Sequence, residues 1–169
     1  MTASSTLGQG SEFVVRLPVV SPPEPQPSLP STEKAKTTGP SLRVLVVDDN
    51  VDTVTTLAML VQESGHDVRE AFDGTSVLEA ALDYRPNVVL LDIGLPRLDG
   101  FEVAKRMRQQ PMLRSIGLVA MTGYGQESDR QRSLEAGFDY HLVKPVDFGK
   151  VEEILATVSE GDLIPTVRA

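Results

Sequence analysis

From Leu42 onward, short apolar runs alternate with stretches whose apolar positions recur at helical spacing. The runs predict buried parallel strands, and the stretches predict amphipathic crossover helices. Strands are expected over 43–48, 67–71, 87–91, 116–121 and 139–143. Helices are expected over 51–64, 75–84, 100–109, 126–136 and 147–159. The punctuation agrees with these bounds. Asn50 can cap the first helix and Gly65 can stop it, Pro86 and Pro111 bound the second and third, and Gly137 ends the fourth. Val51, Val54, Leu57, Ala58 and Val61 line one face of the first helix, as Val151, Ile154, Leu155 and Val158 do in the last. Five such βα units make an α/β fold with one sheet covered on both faces. The fourth helix is the exception, because between Gln126 and Ala136 only Leu134 and Ala136 are apolar. A stripe that thin holds a helix weakly, so this is either a solvated surface helix or an element free to shift.

Before Leu42 the pattern is different. Pro18, Pro22, Pro23, Pro25, Pro27, Pro30 and Pro40 are seven of the twelve prolines, which is linker composition. Ser11 to Pro18 carries a short strand signal with no evident neighbour in sequence to pair with. Residues 1–40 are therefore expected to be largely unfolded. The net charge of −8 lies entirely in residues 41–169, since Glu12, Glu24 and Glu33 balance Arg16, Lys34 and Lys36. An acidic domain argues against direct nucleic-acid binding. With no cysteine, there is neither a disulfide framework nor a thiolate metal site. No apolar run is long enough to span a membrane, and no signal peptide opens the chain, so a cytoplasmic location is expected.

Candidate chemistry collects at the ends of the expected strands, where open α/β sheets place their ligands. Asp48 and Asp49 follow the first strand, Asp92 the third, Thr122 the fourth and Lys144 the fifth. Three carboxylates in one cleft need a counter-charge, and oxygen ligands favour a hard cation, Mg2+. Acids, a hydroxyl and an ammonium on one edge suit phosphoryl transfer. Asp92 would attack phosphorus, Lys144 and the metal would neutralise the equatorial oxygens, and Thr122 would hydrogen-bond one of them. Asp99, before Gly100, reads instead as a cap or turn former.

This set of residues resembles the receiver domain of two-component response regulators: Asp48-Asp49, Asp92 within Leu91-Asp92-Ile93-Gly94-Leu95-Pro96, Thr122, and Lys144-Pro145. The resemblance covers residues 42–160 and implies a flavodoxin-like, doubly wound (βα)5 fold with a five-stranded parallel sheet in order 2-1-3-4-5. It implies that Asp92 accepts phosphate from a phosphohistidine, with a histidine kinase or histidine phosphotransfer domain as partner. Mg2+ would be held by Asp49, Asp92 and the Gly94 backbone carbonyl, with Asp48 helping through water. Thr122 would swing toward the phosphate, and the Lys144-Pro145 peptide would be cis. The family's switch aromatic stands three residues before the lysine, which here is His141, while Tyr140 sits one place earlier. A histidine there raises the idea of a pH-sensitive response.

Gly8 to Pro18 resembles the terminal strand of histidine-kinase ATP-binding domains, and kinase, Pro-rich linker and receiver is the order of hybrid histidine kinases. The chain then divides into a kinase remnant (1–18), a linker (19–41), a receiver (42–160) and a tail (161–169), and is not a stand-alone enzyme. No output domain is expected in the tail. Output is therefore protein contact, phosphate relay, feedback on the kinase, or a homodimer through the fourth helix, fifth strand and fifth helix. The rival readings are a receiver used only for docking, an Asp-nucleophile phosphatase of the haloacid-dehalogenase type, and a flavodoxin-like nucleotide or flavin binder. The phosphatase needs a second Asp where Gly94 stands. The nucleotide binder needs a phosphate-cradling loop where Asp48-Asp49-Asn50 stands.

Overall fold

A computed structural model describes residues 2–6, 10–14, 40–123 and 127–161. Two units emerge. The first is a hairpin of β1 (Thr2–Thr6) and β2 (Gly10–Val14), paired antiparallel from Thr2↔Val14 to Thr6↔Gly10. Ser11 Oγ donates to Ser5 Oγ at 2.9 Å across the ladder. This corrects the expectation of an unpaired strand. Thr2 to Thr6 is small and largely polar, so it offers no apolar alternation to signal a partner. Most of the linker and the tail beyond Gly161 lie outside the described residues.

The second unit holds ten elements in strict alternation. They are β3 (Arg43–Val47), α1 (Val51–Glu63), β4 (Asp67–Ala71), α2 (Val77–Tyr84), β5 (Val88–Asp92), α3 (Gly100–Gln109), β6 (Gly117–Thr122), α4 (Glu127–Ala136), β7 (Tyr140–Val143) and α5 (Phe148–Ser159). The sheet order is β4-β3-β5-β6-β7 with every pair parallel, which is 2-1-3-4-5 counted within this unit. Side chains alternate across a strand, so each strand feeds two cores. Leu45, Val47, Val89, Leu91, Leu118 and Ala120 face α2, α3 and α4. Val44, Val46, Val88, Leu90, Val119 and Met121 face α1 and α5. Both faces of β3, β5 and β6 are thus dry, which explains their near-continuous apolar sequence.

Helix ends follow their local chemistry. Asn50 accepts from Thr53 N, Asp99 from Glu102 N and Asp147 from Gly149 N, each satisfying an orphan amide of the first turn. Gly100 has a packing role as well. A Cβ there would lie 2.5 Å from the Asp92 carbonyl oxygen, so α3 can start against the end of β5 only without a side chain. Leu134 proves only half-buried on α4, whereas Ser133 and Ala136 are buried.

Candidate phosphoacceptor site

All five expected polar residues arrive at one edge. Asp48 follows β3, Asp92 ends β5, Thr122 ends β6 and Lys144 follows β7; Asp48, Asp92 and Thr122 are buried, and Asp49 is exposed. Carboxylate oxygens of Asp48, Asp49 and Asp92 lie within 4.8 Å of one another. Lys144 Nζ donates to Asp48 Oδ2 at 2.7 Å and reaches Asp92 Oδ1 at 3.1 Å. Burial alone would lower the Lys144 pKa, but its hydrogen bonds to Asp48 and Asp92 outweigh that and hold it above the ordinary lysine value. The ammonium therefore stays charged.

Backbone amides orient two of the carboxylates. Asn50 N donates to Asp48 Oδ1 at 3.0 Å, and Gly94 N donates to Asp92 Oδ1 at 3.1 Å. The Lys144 amide donates to the Thr122 carbonyl at 2.7 Å, tying the ends of β6 and β7, and the Lys144-Pro145 peptide is cis. Three carboxylates against one ammonium leave the cleft negative, and its donors are all oxygens. That donor set fits a hard divalent cation. Gly94 sits two residues beyond Asp92, and an added Cβ would come within 3.4 Å of the Asp92 carboxylate.

The chain belongs to the response regulator receiver family, whose model matches residues 44–156. It is 40% identical over 103 residues to the alkaline phosphatase synthesis transcriptional regulatory protein PhoP of Bacillus subtilis, covering 61% of this chain and 42% of that protein. Sensor histidine kinase RcsC of Escherichia coli is 30% identical over 137 residues, 81% of this chain and 14% of that protein. Among solved structures, the chemotaxis response regulator CheY4 of Vibrio cholerae superposes with a TM-score of 0.66 at 27% identity, covering 70% of this chain and 99% of CheY4. The chain thus spans less than half the length of PhoP and a small part of RcsC. This receiver domain is a phosphoaccepting signalling module of two-component systems. No helix among its described residues is long and apolar enough to cross a membrane.

The fold also settles which way the residues near the lysine point. Tyr140 packs in the core against α1 and α5, whereas His141 turns to the other face and meets Ser133 of α4. Burial, then Arg130, holds the His141 pKa below the ordinary 6.5, against an upward pull from Asp129. Three features escaped the sequence reading. Ser133 is one, because a serine in a polar helix gives no sign of burial. Arg97 is another, a non-glycine residue at φ 70° in the loop after Asp92. The third is the Arg108–Asp139 pair at 2.6 Å, whose partners are far apart in sequence.

Proposed function

We propose that Asp92 accepts a phosphoryl group from the phosphohistidine of a histidine kinase or a histidine phosphotransfer domain. The observation that carries this reading is the setting of Asp92, buried at the end of a central strand, paired with Lys144 and clustered with two further carboxylates. A carboxylate oxygen of Asp92 attacks phosphorus in line with the leaving nitrogen. The P–N bond breaks, its electron pair stays on the imidazole, and that ring takes a proton from solvent. Lys144 neutralises charge on the equatorial oxygens, and Thr122 hydrogen-bonds one of them. Asp49, Asp92 and the Gly94 carbonyl, with Asp48 through water, would hold magnesium, whose charge would offset that of the transferring phosphoryl group.

The resulting acyl phosphate shifts an existing equilibrium at the surface of α4, β7 and α5, through which a homodimer or another protein partner is engaged. Intact mass spectrometry after incubation with magnesium and phosphoramidate tests the acceptor. One phosphoryl adduct on the wild type, absent in Asp92→Asn, is expected; the same adduct on the variant would sink the assignment. Amide NMR with beryllofluoride then separates a switch from phosphate relay without one. Shifts that spread from Asp92 into α4 mark the switch, and shifts confined to the pocket mark relay alone.

Two observations favour a hybrid histidine kinase as the parent, with the phosphodonor on the same polypeptide and on the cytoplasmic side of the membrane. Gly8 to Pro18, which contains β2, resembles the terminal strand of a kinase ATP-binding domain, and the similarity to RcsC extends over 137 residues against 103 for PhoP. The phosphatase reading gains nothing, because Gly94 occupies the place its second acid requires.

A further inference from the structure

We infer that His141 is a positioning residue, which seats α4 on the sheet through a hydrogen bond donated from its Nδ1 to Ser133 Oγ. The argument starts from a proton count. Ser133 Oγ lies 2.8 Å from the Asp129 carbonyl oxygen and donates to it, one turn back along α4. A serine hydroxyl has a single hydrogen and two lone pairs. With that hydrogen committed, the oxygen can only accept from His141 Nδ1, 3.1 Å away. Nδ1 therefore carries the proton, and in the neutral ring Nε2 carries the lone pair. Ser133 is only 2% exposed, so its oxygen has no water to fall back on, and the imidazole is what satisfies it.

The place of this contact gives it consequence. β6 and β7 pair as Ala120↔His141 and Thr122↔Val143. Residues two apart share a face, so the imidazole stands one pleat, about 6.6 Å, from the rung that holds Thr122. α4 brings little apolar surface to the sheet, and the His141–Ser133 bond is a directional tie where packing is thin. A displacement of α4 must break this bond or carry the ring with it. Asp129 and Arg130, both on α4, are the charged groups that act on the ring. Protonation would add a hydrogen at Nε2 and leave the Nδ1 donor in place, so the tie holds in both charge states.

The role of the tie in signalling rests on the phosphoacceptor reading, but its existence does not. The test uses the full chain at rest, with no phosphoryl donor. Long-range 15N–1H correlation of the histidine rings should show His141 Nδ1 as the protonated nitrogen and Nε2 as the bare one, the reverse of what a solvated histidine prefers. Ser133→Ala should move that proton toward Nε2 and shift the amides of 127–136. His141→Asn, whose side-chain amide can donate from nearly the same place, should keep the wild-type α4 amide positions. His141→Phe, a ring without a donor, should lose them. An Nε2-protonated ring in the wild type, no change in Ser133→Ala, or identical α4 spectra for the Asn and Phe variants would each overturn the inference. Failure of the phosphorylation assay would leave these spectra as they are, so the two readings stand or fall separately.

Discussion

α4 and α5 lie on opposite faces of the sheet beside the same strand, β7, yet different forces hold them there. α5 drives Val151, Ile154 and Leu155 into a dry core with Val119, Met121 and Leu142. α4 is held largely by polar and cation–π contacts. Ser133 meets His141, the Arg132 guanidinium sits 4.5 Å from the centre of the Phe101 ring, and Arg108 of α3 donates to the Gly137 carbonyl just beyond its end. Apolar burial is broad and undirected, so sliding a helix held that way exposes many atoms to water. Directional contacts are few, and each can be exchanged for another or for water at a net cost near 1 kcal/mol. An acidic edge that has to move a surface therefore does better with α4 than with α5.

Substitutions can break this comparison, and they rank by size. Leu155→Ala should cost about 2–5 kcal/mol in urea unfolding, because it leaves a cavity under a helix that depends on packing; a loss below 1 kcal/mol would remove the contrast. Arg108→Ala comes next, at about 2–3 kcal/mol. Its guanidinium donates to the carbonyls of Gly137, Arg114 and Ile116 and to the Asp139 carboxylate. Amides from α4 to β7 should shift as that variant loosens the turn, while those of α5 stay put.

His66 sharpens the contrast from another side. It is buried, and its Nδ1 accepts from the Leu42 amide at 3.2 Å, which only an unprotonated Nδ1 can do. Burial lowers its pKa from 6.5, so the unfolded chain takes up the proton first as pH falls. The stability contribution is present above that value and is lost as pH drops through the folded-state pKa. Between about pH 7.5 and about pH 5.5 the unfolding free energy from urea titration should fall, by about 1 kcal/mol for the lost hydrogen bond, and less in His66→Gln. His141 is also lowered and so adds to the loss in the same direction, although its Nδ1 donor and its bond survive protonation. A pH loss unchanged in His66→Gln would put the burden on His141 instead. Arg132→Ala should be smallest, about 0.5–1 kcal/mol, with shifts confined to α3 and α4.

Much of this was legible in the chain. Val88 to Leu91 is apolar throughout because both faces of β5 are covered, and that made the sheet readable and placed Asp92 at its end. The strand-end residues Asp48, Thr122 and Lys144 were likewise legible, because a parallel sheet delivers all its carboxyl ends to one edge. What stayed hidden depends on contacts between residues remote in sequence. Nothing near Ser133 announces that His141 will meet it, and nothing near Arg108 announces Asp139. The first strand of the hairpin was missed because pairing by backbone and serine hydroxyls leaves no apolar period.

Arg108 also bears on how the domain comes apart. Its partners Arg114, Ile116, Gly137 and Asp139 follow it by 6, 8, 29 and 31 residues. The first two come within reach when the end of α3 meets the start of β6, and the last two only after the chain has returned through α4. A clasp that spans so much chain is expected to be open at the folding barrier and fully made in the native state. Its loss should therefore steepen escape from the native state far more than it slows arrival. Arg108→Ala should thus shorten the lifetime of the folded receiver and leave its refolding rate near that of the wild type.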